Sequence, residues 1–189
     1  MKPNLRFLSF AVALVVILIA ALIFFTRTPA IPEDRLTRVF DDSPTGFTFR
    51  YPDDWDYTIP APGLLIAGLA QTIQQGEAGP TFTVQRANPL SIYETLDAAL
   101  SQYLRRGPLS EDWQQTGEIT AGTFQERESL TVAIERPEDE TNPAQRGEIL
   151  VTTAENTLVY FIVLTAPTSV WETFEPILRA MRSSVMLLE

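Results

Sequence analysis

Five carboxylates fall within sixteen residues, as Asp41-Asp42, Asp53-Asp54 and Asp56. Hard cations such as calcium take oxygen ligands, so this acidic group is the first candidate for chemistry. Between the two pairs, Phe47, Phe49 and Tyr51 alternate with Thr48 and Arg50, the pattern of a half-buried strand. Fully extended, that strand holds the pairs roughly 17–20 Å apart. The spacing also lacks the glycine and the twelfth-position glutamate of an EF-hand loop. Solvated turn carboxylates are the plain reading, and Asp53, Asp54 and Asp56 are weak candidates for a divalent-cation site. Two carboxylates also suffice for a glycosidase, one as acid and one as base or nucleophile. Among 24 acidic residues some pair always exists, and nothing in the sequence marks one as buried.

Other chemistry is removed by composition. The chain has no histidine and no cysteine. Ser-His-Asp and Cys-His triads, His-based acid–base catalysis and zinc sites built on His or Cys are therefore excluded. Disulfides are impossible, so the fold rests on its hydrophobic core. No cofactor is implied. Of the three tryptophans, Trp55 and Trp171 sit in periodic core positions. Trp113 lies in a polar connection, Ser110-Glu111-Asp112-Trp113-Gln114, and is the partner-contact candidate, because an exposed tryptophan is often a binding anchor.

Residues 7–25 form one unbroken apolar run after Lys2 and Arg6. Its nineteen residues, as a helix, span roughly 28 Å, close to the ~30 Å hydrocarbon thickness of a bilayer. A secretory signal has a shorter apolar core, so an uncleaved anchor is the reading, with Thr28-Pro29-Ala30 as a weak cleavage site in the alternative. The flanking positive charges place the short N-terminal end in the cytoplasm and everything from about Thr26 onward outside the membrane. Without Lys2 and Arg6 the chain carries 12 arginines against 24 acidic residues, a net charge of −12. That field repels phosphate and argues against nucleic acid and anionic lipid heads as partners.

The expected organisation is a stub and single-pass transmembrane helix over 1–25, a proline-bearing tether over 26–45 and one domain over 46–189. After the first strand, Trp55, Tyr57 and Ile59 alternate again. Pro62-Gly63 then supplies a turn and residues 63–70 a returning strand. Residues 71–80 read as a polar loop and 81–86 as a strand with Phe82 and Val84 on one face. Ser91-Ile92-Tyr93-Glu94 reads as a capping box opening a helix whose stripe is Ile92, Leu96, Ala99, Leu100 and Tyr103. Gly107-Pro108 ends that helix. Strands over 117–120 and 123–135 flank a tight turn at Ala121-Gly122. Residues 135–142 read as a mobile acidic loop. Strands over 146–154 and 157–165 flank Glu155-Asn156. Residues 158–164 are apolar at nearly every position, as expected of a central strand covered on both faces. A second capping box, Ser169-Val170-Trp171-Glu172, opens a closing helix. Pro176 either kinks that helix or restarts it, and Glu175 and Arg179 pair on its outer face.

This order predicts an α+β fold, an α/β/α sandwich with a central antiparallel sheet. The run from Phe47 through Tyr51-Pro52-Asp53-Asp54-Trp55 resembles the strand and Tyr-Pro-x-x-Trp turn of the PsbP-like superfamily. That superfamily also holds a nuclear-import Ran-binding factor and many small bacterial exported proteins. A second likeness is the C-terminal apolar strand followed by Ala166-Pro167, Trp171, Phe174, Ile177 and Ser183-Ser184. The resemblance covers 46–187 and implies a non-enzymatic binding or assembly module. Photosystem members help retain metal ions near a membrane complex. Here the absence of histidine removes any His-centred metal site, and the absence of lysine from the domain removes lysine-based docking. The expected function is a membrane-anchored extracytoplasmic module for a protein partner at the cell envelope. The alternatives are a small-ligand or weak cation-binding domain using the acidic turns, and a carboxylate-based hydrolase.

Two expectations follow from sequence alone. The full-length protein stays with membranes through high-salt and carbonate washing, since an apolar anchor is insensitive to salt; a soluble form beginning near Ile31 would instead reveal a cleaved signal. Calcium binds no tighter than about millimolar, because the carboxylates lack a preorganised loop. Calorimetry on the wild type and on Asp53→Asn/Asp54→Asn checks this, and micromolar affinity lost in the variant would put the cation site first.

Overall fold

A computed structural model describes residues 33–42, 45–107, 112–154 and 157–188. The apolar run at 7–25 and the turn at Glu155-Asn156 lie outside the described residues. No helix among those described is long and apolar enough to cross a membrane.

After a single 3-10 turn at Glu33–Arg35, the elements are β1 (Arg38–Asp42), β2 (Phe47–Tyr51), β3 (Trp55–Ala61), β4 (Leu64–Leu69), α1 (Ala70–Gln75), β5 (Thr81–Pro89), α2 (Leu90–Tyr93) and α3 (Leu96–Arg106). Then come β6 (Gln114–Gln115), β7 (Thr120–Phe124), β8 (Arg127–Arg136), β9 (Gln145–Thr153), β10 (Leu158–Pro167), α4 (Trp171–Ser183) and β11 (Met186–Leu187). The large sheet runs β3-β4-β5-β10-β9-β8-β6, with β7 also paired to β8, and every pairing is antiparallel. A small antiparallel sheet, β1-β2-β11, packs on one face beside α4. The helix α3 packs on the other face, with Leu90 and Tyr93 of the short α2 beside it. The central antiparallel sheet is therefore as expected, but one outer layer of the sandwich is part helix and part sheet.

Alternation places the residues of the first core. Phe47, Phe49 and Tyr51 point inward from β2 and meet Phe40, Phe82 and Tyr160. The Trp55 N–H donates to the Pro52 carbonyl (3.2 Å), which closes the turn into β3 and buries the indole. Gly63 adopts φ +80°, as the β3–β4 turn requires of it. β10 is buried almost throughout, with Tyr160, Ile162 and Leu164 in the first core and Val159, Phe161 and Val163 in the second.

Several local expectations are overturned. Part of the stretch read as tether is folded: β1 pairs with β2, and Leu36 and Phe40 are buried. The 71–80 loop contains α1, which closes on Gly76 at φ +69°. It buries no residue, so no apolar period betrayed it. The box at 91–94 does not form. Glu94 sits at φ +72°, and α3 starts only at Leu96, capped by Thr95 Oγ1 accepting the Ala98 N–H (3.1 Å). Ile92 is consequently off the stripe and 62% exposed, whereas Leu96, Ala99, Leu100 and Tyr103 are buried as expected. No side chain caps α4 either; a 3-10 turn at Thr168–Val170 leads into it. Pro176 lies inside that single continuous helix.

The β7–β8 turn is at Gln125-Glu126, not Ala121-Gly122. Both residues hold positive φ, +51° and +65°, without glycine or asparagine. Tertiary bonds compensate: the Gln125 amide donates to the Val185 carbonyl and accepts the Leu187 N–H (3.3 Å). The loop after β8 is organised by Asp139, whose Oδ1 accepts the Thr141 and Asn142 N–H groups at 2.7 and 2.8 Å. These bonds hold its carboxyl well below the usual carboxylate range. The Glu175–Arg179 pair forms at 2.9 Å, but Arg179 also reaches Glu148 of β9 (2.9 Å), where Arg182 joins it. The pair thus ties α4 to the sheet and does not simply decorate the outside.

Ile162 is fully buried in β10. Its replacement by Ala should cost about 2–5 kcal/mol in denaturant unfolding, as for other buried isoleucine truncations. A loss below about 1 kcal/mol would contradict a central, doubly covered strand.

Candidate functional site

The face of the large sheet that carries α3 is only partly covered. The helix buries Leu96, Ala99, Leu100 and Tyr103 against residues of β8, β9 and β10, including Leu130, Ile149 and Val163. Tyr103 stacks on Phe161 with ring centroids 4.1 Å apart and planes 18° from parallel. Burial pushes its phenol pKa up, so it stays neutral and acts as an apolar wall. β4 contributes no buried residue to this cluster. Leu64 and Ile66 of β4, with Thr81 and Thr83 of β5, remain half-buried beside it.

The uncovered strip is a groove of about 310 Å³. Leu64, Ile66, Thr81, Thr83, Val163 and Thr165 line it, with Tyr103 and Gln145 at its sides. Thr81 and Thr165 are directly opposed on β5 and β10, and their hydroxyls hydrogen-bond each other at 2.5 Å. Trp113 and Arg136 form the far end. Trp113 is half-buried against the α3 cluster, and the Arg136 guanidinium carbon lies 5.8 Å from its ring centroid, a cation–π distance. Arg136 Nε is buried and has no hydrogen-bond partner. Arg136 is the groove's one charged lining residue among those described.

A second hollow of about 150 Å³ shares Tyr103 and runs under the C-terminal end of α3, lined by Gln85, Tyr93, Gln102 and Arg106 among others. Gln85 Oε1 is buried there without a partner. A third hollow, with Gln114, Thr116, Glu135 and Pro137, adjoins the groove through Arg136 and Gln145.

The sequence candidates separate. Trp113 joins the groove. The aspartates lie elsewhere and apart: Asp53 accepts a hydrogen bond from Thr37 Oγ1, Asp56 Oδ1 accepts the Tyr57 N–H (2.9 Å), and Asp54 is exposed. In the β1–β2 register Asp41 opposes Thr48 while Arg38 opposes Tyr51, which puts Asp41 at the opposite end of that hairpin from Asp53. Among the described residues no three acidic side chains converge on one point. Sequence reasoning passed over the groove, although a signal existed. Residues 64–69 are apolar on both faces of β4, while only the Leu65 and Ala67 face enters a core.

Neither a protein-family model nor a curated protein sequence matches this chain. Solved structures do. Cyanobacterial PsbP (CyanoP) from Synechocystis sp. PCC 6803 superposes with a TM-score of 0.56 at 16% identity, covering 79% of this chain and 91% of that one. LpqN of Mycobacterium tuberculosis, described as involved in cell envelope biogenesis, gives 0.51 at 12% identity, covering 76% and 83%. A protein from Bacteroides thetaiotaomicron VPI-5482 also gives 0.51 at 11% identity, covering 82% of this chain but 49% of that one. At such identities the likeness is one of fold, and it agrees with the Tyr-Pro-x-x-Trp turn and the apolar strand leading to Trp171: the chain has the PsbP-like fold.

Proposed function

We propose that this chain is a membrane-anchored, extracytoplasmic module that docks a protein partner at the cell envelope and carries no catalytic activity of its own. The carrying observation is the lip of the groove, where Trp113 stacks with Arg136 at the border between an apolar strip and polar surface. Tryptophan and arginine are enriched among the few residues that dominate binding energy. The apolar run at 7–25 after Lys2 and Arg6 supports the anchor and the outward orientation. The fold shared with CyanoP and LpqN, the latter described as an envelope-biogenesis protein, supports the setting. Lack of histidine and cysteine and the scattering of the aspartates support a binding role over a hydrolase.

A photocrosslinking amino acid placed at Trp113 in the full-length protein, in native membranes, should yield one discrete adduct with another protein. The same residue at Val39, exposed on β1, should not. Trp113→Ala should weaken co-purification of that partner about 30-fold, the effect of losing a hot spot worth about 2 kcal/mol. Equal adducts from both positions, or none from Trp113, would remove this reading.

A further inference from the structure

We propose that the groove binds a linear amphipathic carboxylate, with its hydrocarbon body along the sheet and its carboxylate on Arg136. The inference does not rest on the protein-docking reading, since a ligand in the groove and a partner at its lip are separate events.

The lining residues lie on β4, β5, β10, β9 and β8, which are successive neighbours in the sheet. Four inter-strand spacings of about 4.8 Å make the groove roughly 19 Å long. That is close to the length of one lipid acyl chain, about half the ~30 Å thickness of a bilayer core. Its two ends differ. Leu64 and Ile66 occupy the β4 end, and Arg136 the β8 end, so the site is apolar at one extremity and cationic at the other.

The middle favours hydrocarbon over peptide. A peptide crossing the strands needs partners for its own N–H and C=O groups. Thr81 and Thr165 bond each other at 2.5 Å, which uses one of their two hydroxyl donors within the sheet, and Val163 adds an apolar side chain beside them; the lining there offers few groups to pair with a peptide backbone. A hydrocarbon needs no such partners and gains from covering this strip.

The cationic end favours a single negative charge. Arg136 Nε is buried and without a partner, a donor whose satisfaction by a carboxylate oxygen removes a standing cost. Stacking on Trp113 restrains the guanidinium in advance. Glu135, the adjacent acid, pairs with Arg146 at 3.3 Å and lines the neighbouring hollow and not the groove. A phosphate monoester carries about −1.5 to −2, too much for one arginine in a domain of strongly negative net charge.

The test uses the full-length protein in its native membranes and a sixteen-carbon fatty acid bearing a mid-chain diazirine. Labelled positions are mapped by peptide mass spectrometry. Labels are expected on the stretch holding Ile66 and Thr83 and on the one holding Val163. Arg136→Gln should lower them about tenfold, the loss expected when a charged hydrogen bond goes. The alcohol of the same chain should label equally weakly, and Arg146→Gln should leave labelling unchanged. Ile66→Trp, which fills the apolar end and leaves the cation in place, should also abolish labelling, with circular dichroism showing both variants folded. Labels confined to residues 7–25, or undiminished in both groove variants, would overturn the proposal. Equal labelling by acid and alcohol, or stronger labelling by the alkyl phosphate, would overturn the carboxylate assignment.

Discussion

The structure depends on one strand without a solvent-facing side. β10 is hydrogen-bonded to β5 along one edge and to β9 along the other. Its successive side chains enter two different cores: Tyr160, Ile162 and Leu164 go to one, Val159, Phe161 and Val163 to the other. Such a strand is stable only if both faces are covered, because each exposed face would leave several large apolar groups in water. The small sheet and α4 on one side, and α3 on the other, provide that cover. The Tyr160 hydroxyl, donating to the Gly46 carbonyl at 3.2 Å, carries the constraint into the small sheet.

The two faces meet the requirement unequally. On one, the small sheet and α4 lie side by side, and the Glu148 bridge to Arg179 and Arg182 holds the helix down. On the other, α3 is the main cover, with Leu90 and Tyr93 of the short α2 packed beside it. Its eleven residues make a cylinder about 16 Å long, whereas seven strands make a sheet roughly 29 Å wide. The helix sits over β8, β9 and β10, where the most apolar residues are, and the β4–β5 side is left as a groove. The candidate site is thus a by-product of coverage: a sheet wider than the helices packed on this face keeps an apolar strip open. Trp113 and Arg136 close one end of it. That placement gives a half-buried tryptophan and an arginine with an unpartnered Nε a setting that packing alone leaves unexplained.

How much could be read in advance varies with the range of the interaction responsible. The inward faces of β2 and β5 were legible because period-two alternation is written along each strand, β10 because an unbroken apolar run marks a strand covered on both faces, and Gly63 because its turn demands positive φ. The stripe of α3 was legible for the same reason, although its start was misplaced. Glu94 at φ +72° interrupts the turn that a cap at Ser91 would open, and the Thr95 hydroxyl, which accepts the Ala98 N–H, caps the helix instead. The β7–β8 turn was misread because Ala121-Gly122 is the better local turn, while Gln125-Glu126 is held by backbone sixty residues away. Asp53, Asp54 and Asp56 were visible as a cluster in the sequence, but neighbouring aspartates need not aim at one point.

By itself, then, the sequence determined the class of fold, the doubly buried strand, the exclusion of histidine and cysteine chemistry, and Trp113 as the tryptophan outside the periodic core. Tertiary structure alone decided that β1 joins the domain, that the aspartates diverge, and that Trp113 meets Arg136 beside an uncovered strip between β4 and α3. The physical reason is distance along the chain. Side-chain period and turn geometry are set by neighbouring residues, whereas a groove is the difference between the width of a sheet and the reach of the helix packed on it, and no local pattern records a difference.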